Sequence, residues 1–165
     1  EFRPDSVDQW VQKNSFPGVP RFFASAFSIG ARGYMGGGTD TGSSTFGDFW
    51  QYDPANDTCT QKADLGAGPS MAVPGFSING KGYVGGLSNF WEYDPAANSW
   101  VRRSDVSAGW LGSVGVSVNG RGYIGTGLGD PNGVLASVSR ALRMSEILIC
   151  IWMLVFGARR LPLLG

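Results

Sequence analysis

Short apolar stretches separated by glycine-containing breaks run along most of the chain. Three of these stretches correspond closely: FSIGARGYMGG from Phe27, FSINGKGYVGG from Phe76 and VSVNGRGYIGT from Val116. Each reads as an apolar strand, a tight turn and a second apolar strand, which is the pattern of a β-hairpin. We therefore predict three hairpins of similar structure, spaced along the chain.

A second motif occurs twice, as FWQYDPANDTC at 49–59 and as FWEYDPAANSW at 90–100. Its tryptophan and tyrosine stand two positions apart, so they lie on one face of a strand. Proline followed by small and Asx residues predicts a turn into another strand. We interpret Asp53 and Asp94, which occupy the same turn position in the two copies, as turn formers and not as a catalytic pair of acids.

Together the two motifs form a repeat of about 40 to 50 residues, the length typical of a propeller blade. A third element, W.QK from Trp10, matches the segments 59–62 and 100–103. The first copy carries a longer loop, Thr39 to Gly47, which contains TDTGSST. A small sheet with two apolar faces cannot bury both alone, and stacking on neighbouring sheets solves this. The prediction is an all-β fold, a partial β-propeller of four-stranded antiparallel blades.

Composition narrows the possible functions. The 165 residues include 26 glycines, and the 13 basic and 13 acidic residues cancel. The charge balance gives no reason to expect a nucleic acid or an anionic membrane as partner. Histidine is absent, which removes Ser-His-Asp and Cys-His catalysis and imidazole metal ligation from this chain. We predict no cofactor and no metal site.

With GYMGG, GYVGG, YDPANDTC and YDPAANSW in view, the chain resembles the kelch-repeat family, in particular bacterial, secreted, galactose-oxidase-like kelch proteins. The glycine doublets begin at Gly36 and Gly85, and each repeat tyrosine stands seven residues before Cys59 or Trp100. Two departures are visible. Cys59 replaces the expected tryptophan, where we interpret it as a small apolar filler, and Gly125-Thr126 breaks the third doublet.

This resemblance implies about 2.5 blades of a larger propeller, covering roughly residues 9 to 130. It implies non-catalytic binding or scaffolding of a protein or carbohydrate at the cell exterior. The alternative is a fragment of a kelch-type enzyme, oxidase-like or sialic acid epimerase-like, whose catalytic residues lie on missing blades. A third alternative is the product of a damaged gene. Open sheet edges also lead us to expect self-association.

Composition changes abruptly after the repeats, so we divide the chain into 1–130, the kelch repeats, and 131–165, an atypical tail. The tail has three glycines and one acid, Glu146, and contains ILICIWMLVFGA. That uncharged run is shorter than the ~20 residues needed to span a bilayer, so no membrane span is expected. The remaining alternatives are a short packing helix or strand and an out-of-frame translation of the missing half-blade.

Candidate binding residues are positions that differ between the copies. Arg21, Ser70 and Trp110 share one repeat position, and an arginine and a tryptophan at a channel mouth suit a sugar or an acidic partner. The alternative is that Trp110 packs between sheets and Arg21 is solvated. Asp40 and Asp48, in TDTGSSTFGD, carry carboxylates of the type that bind calcium, but their spacing matches no recognised calcium-binding motif. The candidate binding residues are thus Arg21, Trp110, Asp40 and Asp48.

Overall fold

The computed structural model describes residues 2–3, 9–86, 89–104, 112–125 and 136–137, and the regular structure within them is all β-strand. The prediction of an all-β chain is therefore confirmed. The strands in these ranges are β1 (Phe2–Arg3), β2 (Gln9–Trp10), β3 (Ser25–Ile29), β4 (Arg32–Gly36), β5 (Phe49–Asp53), β6 (Thr58–Lys62), β7 (Gly75–Ile78), β8 (Lys81–Gly86), β9 (Asn89–Asp94), β10 (Ser99–Arg102), β11 (Val114–Val118), β12 (Arg121–Gly125) and β13 (Ala136–Ser137).

The strands form antiparallel sheets in chain order. The first sheet is β3-β4-β5-β6, the second sheet is β7-β8-β9-β10, and the third sheet is β11-β12-β13. A two-stranded pair, β1-β2, precedes them, with Phe2 opposite Trp10. The first and second sheets correspond to the first two copies of the repeat. Two four-stranded antiparallel sheets are thus present among the described residues, as the sequence predicted.

The turns use the residues that their backbone conformations require. In the second and third hairpins an Asn-Gly pair makes the turn, with φ of 49° at Asn79 and 51° at Asn119, as expected for a tight hairpin. The turn after β9 begins at Asp94, whose Oδ1 accepts a bond from the Ala96 N–H at 2.9 Å, and Asn98 takes the left-handed position with φ of 49°. Asp94 is therefore a turn former, as predicted.

An aromatic core lies between the first and second sheets. Phe49 is 1% exposed and Tyr93 is fully buried, and their ring centroids lie 4.9 Å apart, edge to face. Tyr34 stacks on Phe49 at 5.7 Å. A second core, of Phe76, Phe90 and Ile124, is buried where the second sheet meets the third. Because each core is buried between one sheet and the next, the sheets are stacked face to face.

The first strands of successive sheets are neighbours: β3 lies next to β7, and β7 next to β11. The same packing contact joins both pairs of sheets. A Cβ built on Gly82 would stand 2.3 Å from the ring of Phe27, and one built on Gly122 would stand 2.2 Å from the ring of Phe76. Glycine at this repeat position therefore allows an aromatic ring of the preceding sheet to lie against the backbone.

Little of the tail falls within the described residues. Ala136 and Ser137 pair with Ile124 and Tyr123 of β12, so residues after 130 supply the third strand of the third sheet. The proposed tail helix and the change of reading frame concern residues outside the described part. Among the residues that the structure describes, no helix is long and apolar enough to cross a membrane.

Candidate functional site

Two of the predicted binding residues, Arg21 and Asp48, form a bidentate ion pair. The Arg21 Nη2 group donates to Asp48 Oδ2 at 2.9 Å, and Nη1 contacts Oδ1. The side chain of Arg21 is 3% exposed and that of Asp48 is 23% exposed. Arg21 also donates to the carbonyl oxygens of Val19 at 3.0 Å and Gly37 at 3.2 Å. Arg21 is therefore a buried, fully engaged side chain and is not solvated.

Aromatic rings cover the guanidinium group of Arg21. Its central carbon lies 4.2 Å from the ring centroid of Phe46 and 5.2 Å from that of Phe16, both within the range of cation–π attraction. The Trp50 indole N–H donates to Asp48 Oδ2 at 2.7 Å. Burial alone would raise the pKa of Asp48, but the hydrogen bonds from Arg21 and Trp50 lower it below its ordinary value. The arrangement holds one loop against the first sheet.

The same indole contact recurs in the second sheet without the ion pair. Trp91 donates its indole N–H to Asn89, which stands at the repeat position of Asp48, and Ser70 stands at that of Arg21. The charged residues of the first sheet thus correspond to two neutral residues, Ser70 and Asn89, at the same two repeat positions of the second copy. The ion pair distinguishes the first sheet from the second.

Asp40 shapes the longer loop of the first copy. Its Oδ1 accepts bonds from the N–H groups of Gly42 and Ser44, both at 2.9 Å, which is the local pattern of an Asx residue in a turn. Within the described ranges, no group of three or more Cys, Asp or Glu residues is placed to hold a metal ion. Trp110 lies outside the described residues, so its predicted role stays a prediction.

An open cavity of about 300 Å³ lies on the face of the second sheet that turns towards the third. Its apolar lining residues are Ile78 and the almost fully buried Phe90, and Tyr83, Glu92 and Arg103 contribute polar groups. We call these five residues, with Ser104, the second-sheet cavity. Small ligands bind in depressions of this kind, where apolar surface meets a few placed polar groups.

The polar side of the second-sheet cavity is organised around Glu92. Arg103 donates to Glu92 Oε2 through Nε at 2.8 Å and approaches it through Nη2 at 2.7 Å. The hydrogen bond from Arg103 lowers the pKa of Glu92 below its ordinary value. Burial, together with the hydrogen bond to Glu92 and its negative charge, raises the pKa of Tyr83 to about 12. The site therefore presents a carboxylate, a guanidinium and a neutral phenol.

Sequence reasoning missed this cavity, although a signal for it was present. Glu92 stands at the repeat position of Gln51, and Arg103 at that of Lys62. In the first sheet, Gln51 donates a neutral hydrogen bond to the Tyr34 hydroxyl at 2.9 Å. The change to a Glu–Arg pair in the second copy is the kind of variation between repeats that marks a candidate site.

No family model and no curated protein matches the chain. Among solved structures, 132 chains are similar. One is the structure of YjhT, with a TM-score of 0.66 and 16% sequence identity over 82% of this chain and 56% of that one. The chain thus spans little more than half the length of that protein. At this identity the likeness extends to the fold alone.

Proposed function

We propose that the three sheets are successive blades of a kelch-type β-propeller, and that the chain serves in non-catalytic recognition of a carbohydrate or protein ligand at the cell exterior. The repeated hairpin and FWEYDP motifs support the kelch assignment. The stacking of sheets through neighbouring first strands, β3 to β7 to β11, supports the propeller. The similarity in fold to YjhT is compatible with both.

The geometry of the second-sheet cavity favours a sugar over a peptide as the ligand. Its volume of about 300 Å³ is at the lower limit of small-molecule sites. The partly exposed side chains of Ile78 and Tyr83, above the buried Phe90, offer an apolar surface to the carbon face of a sugar ring. Glu92 accepts hydrogen bonds from hydroxyl groups and Arg103 donates to their oxygens. The combination of the apolar surface of Ile78 and Tyr83 with a Glu–Arg pair is the observation that carries this proposal.

A kelch-type enzyme with catalytic residues on other blades remains the alternative proposal. The two proposals differ in what happens to a sugar bound in the second-sheet cavity. An enzyme would convert the sugar chemically, whereas a binding module would release it unchanged. Because those catalytic residues would lie outside this chain, the two are distinguished with a longer protein that carries the other blades: conversion of the bound glycan favours the enzyme, and recovery of the glycan unchanged favours the binding module.

The test is a glycan array probed with the full chain, followed by calorimetric titration of the soluble glycan that gives the strongest signal. Glu92→Gln and Arg103→Lys are the test variants, and each is expected to weaken binding at least about tenfold, the loss of one charge-assisted hydrogen bond. Arg32→Lys is the matched control, because Arg32 pairs with Asp53 on the first sheet, outside the cavity. Equal affinity in all three variants, or no binding across the array, would contradict the proposal.

A further inference from the structure

One repeat position, shortly before the first strand of each sheet, has a left-handed backbone in all three copies. The φ angle is 58° at Phe23, 53° at Ala72 and 78° at Gly112. This conformation links the copies, because the Ala72 N–H donates to the Phe23 carbonyl oxygen at 2.7 Å and the Gly112 N–H donates to the Ala72 carbonyl oxygen at 2.9 Å. Alanine or glycine therefore meets the backbone requirement of this position.

The first copy places a phenylalanine at this position. A positive φ brings the Cβ atom too close to the following carbonyl oxygen, and it is strained for a large side chain. The other described residues with positive φ are glycines, Ala72, and serine, aspartate or asparagine residues. Phe23 is 61% exposed, so burial of its ring does not offset the strain. The fold alone thus gives no reason for an aromatic ring here.

Phe23 belongs to an exposed apolar patch. Its ring contacts that of Phe22 edge to face, with the centroids 5.0 Å apart, and Phe22 is 46% exposed. The bond from Ala72 to Phe23 brings the next connection alongside. That connection carries Met71, which stands at the repeat position of Phe22 and is 37% exposed. We call Phe22, Phe23 and Met71 the exposed aromatic patch.

The backbone beneath the exposed aromatic patch is fixed. Phe22 and Thr39 exchange both backbone hydrogen bonds, each at 2.9 Å, and Thr39 is 6% exposed. With the bond from Ala72 to Phe23, these contacts hold together the two connections that carry the patch. A surface whose backbone is already ordered loses less conformational freedom when a partner binds.

The chemistry of the exposed aromatic patch favours a protein over a sugar. Its three side chains carry no charge and no strong hydrogen-bonding group, and the adjacent Arg21 is 3% exposed and paired with Asp48. A sugar requires placed polar groups, whereas aromatic residues and methionine are enriched in protein interfaces. We propose that the exposed aromatic patch binds another protein by receiving an uncharged apolar side chain of that partner. The patch shares no residue with the second-sheet cavity, so the proposal does not depend on the sugar site.

Short random peptides displayed on phage are selected on the full chain, with soluble Phe23→Gly variant as a competitor that removes peptides bound elsewhere. The enriched peptides are synthesised and titrated by calorimetry. They are expected to share an uncharged apolar residue, and Phe22→Ala and Phe23→Gly should each weaken their binding at least about tenfold. Ala72→Gly is the matched control, because it relaxes the same backbone conformation without removing an exposed ring, and it should bind these peptides as wild type does.

Chemical denaturation shows whether the ring of Phe23 serves the fold instead. Glycine adopts a positive φ freely, so the midpoint for Phe23→Gly should not fall below that of wild type. A lower midpoint overturns the proposal, since the ring would then be retained for stability. The absence of enriched peptides overturns it, as does equal affinity for wild type and Phe23→Gly. Loss of glycan binding in Phe23→Gly, with no peptide enriched, would assign the patch to a sugar and overturn it as well.

Discussion

The ring of Phe27 in β3 lies so close to Gly82 in β8 that a Cβ on the glycine would stand 2.3 Å from it. The same relationship joins Phe76 to Gly122, at 2.2 Å. Because real Cβ atoms do not approach a ring so closely, the glycine is what permits the two sheets to approach here. Repetition of this contact explains the glycine of the Gly-Tyr pair in the second and third hairpins.

We predict that two asparagines with the same backbone conformation differ in their effect on stability. Asn98 Oδ1 accepts the Tyr93 hydroxyl at 2.8 Å and the Ala63 N–H at 3.1 Å. Asn98→Gly keeps the left-handed turn but removes this acceptor. Since Tyr93 is fully buried, the free energy of unfolding should fall by about 1 to 3 kcal/mol.

The matched control for that change is Asn79→Gly, because Asn79 has the same φ of 49° in an exposed hairpin turn. Glycine adopts this conformation freely, so the free energy of unfolding should change by no more than about 0.5 kcal/mol. Chemical denaturation of both variants is the measurement. Equal effects at the two positions would show that the Tyr93 hydrogen bond contributes nothing specific.

We predict that the Arg21–Asp48 pair is strongly coupled. Asp48→Asn leaves the buried guanidinium without its carboxylate and should cost about 3 kcal/mol of stability, the lower end for a buried pair because Asp48 keeps some exposure. The double variant Arg21→Ser with Asp48→Asn recreates the residues at the same positions of the second copy, Ser70 and Asn89. It should lose about 1 to 3 kcal/mol less than the sum of the single losses. Additive losses would mean that the two side chains act independently.

We predict that the contribution of Glu92 to stability depends on pH. Its pKa is lower in the folded chain than its ordinary value of about 4.5, so the folded state favours the ionised carboxylate. The stabilisation is fully present above about pH 4.5 and is lost as the pH falls below it. Wild type should exceed Glu92→Gln in unfolding free energy by about 1 kcal/mol at pH 7, since Arg103 is half exposed. A difference that persists unchanged at pH 3 would contradict this account.

The hairpins were predictable because their signals are local. Asn79-Gly80 specifies a tight turn within two residues, and alternation in FWEYDP specifies which side chains share a face. The role of Asp94 as a turn former was likewise predictable from the neighbouring residues of the turn alone. Each of these features depends on residues fewer than ten positions apart, which a single sequence displays directly.

The surroundings of Arg21 were not predictable in the same way. Its partners, Phe16, Phe46 and Asp48, come from segments up to 27 residues away. A single arginine in a loop gives no local signal of burial, and only the packing of its loop and of the loop that carries Phe46 on the first sheet buries Arg21. The Glu92–Arg103 pair required comparison of the copies residue by residue, because its signal is a difference between repeats and not a motif.

The most direct test of the account compares alanine at the three equivalent glycines, Gly33, Gly82 and Gly122, by chemical denaturation. The central claim is that a phenylalanine ring of the preceding sheet packs on Gly82 and another on Gly122. At Gly33, among the described residues, only Tyr52 of the same sheet lies nearby. Gly82→Ala and Gly122→Ala should each lower the free energy of unfolding by about 1 to 3 kcal/mol, the cost of overpacking. Gly33→Ala should cost less than about 0.5 kcal/mol, because a Cβ there meets only Tyr52 of the same sheet, at 3.7 Å. Equal losses at all three positions would contradict the repeated packing of the sheets.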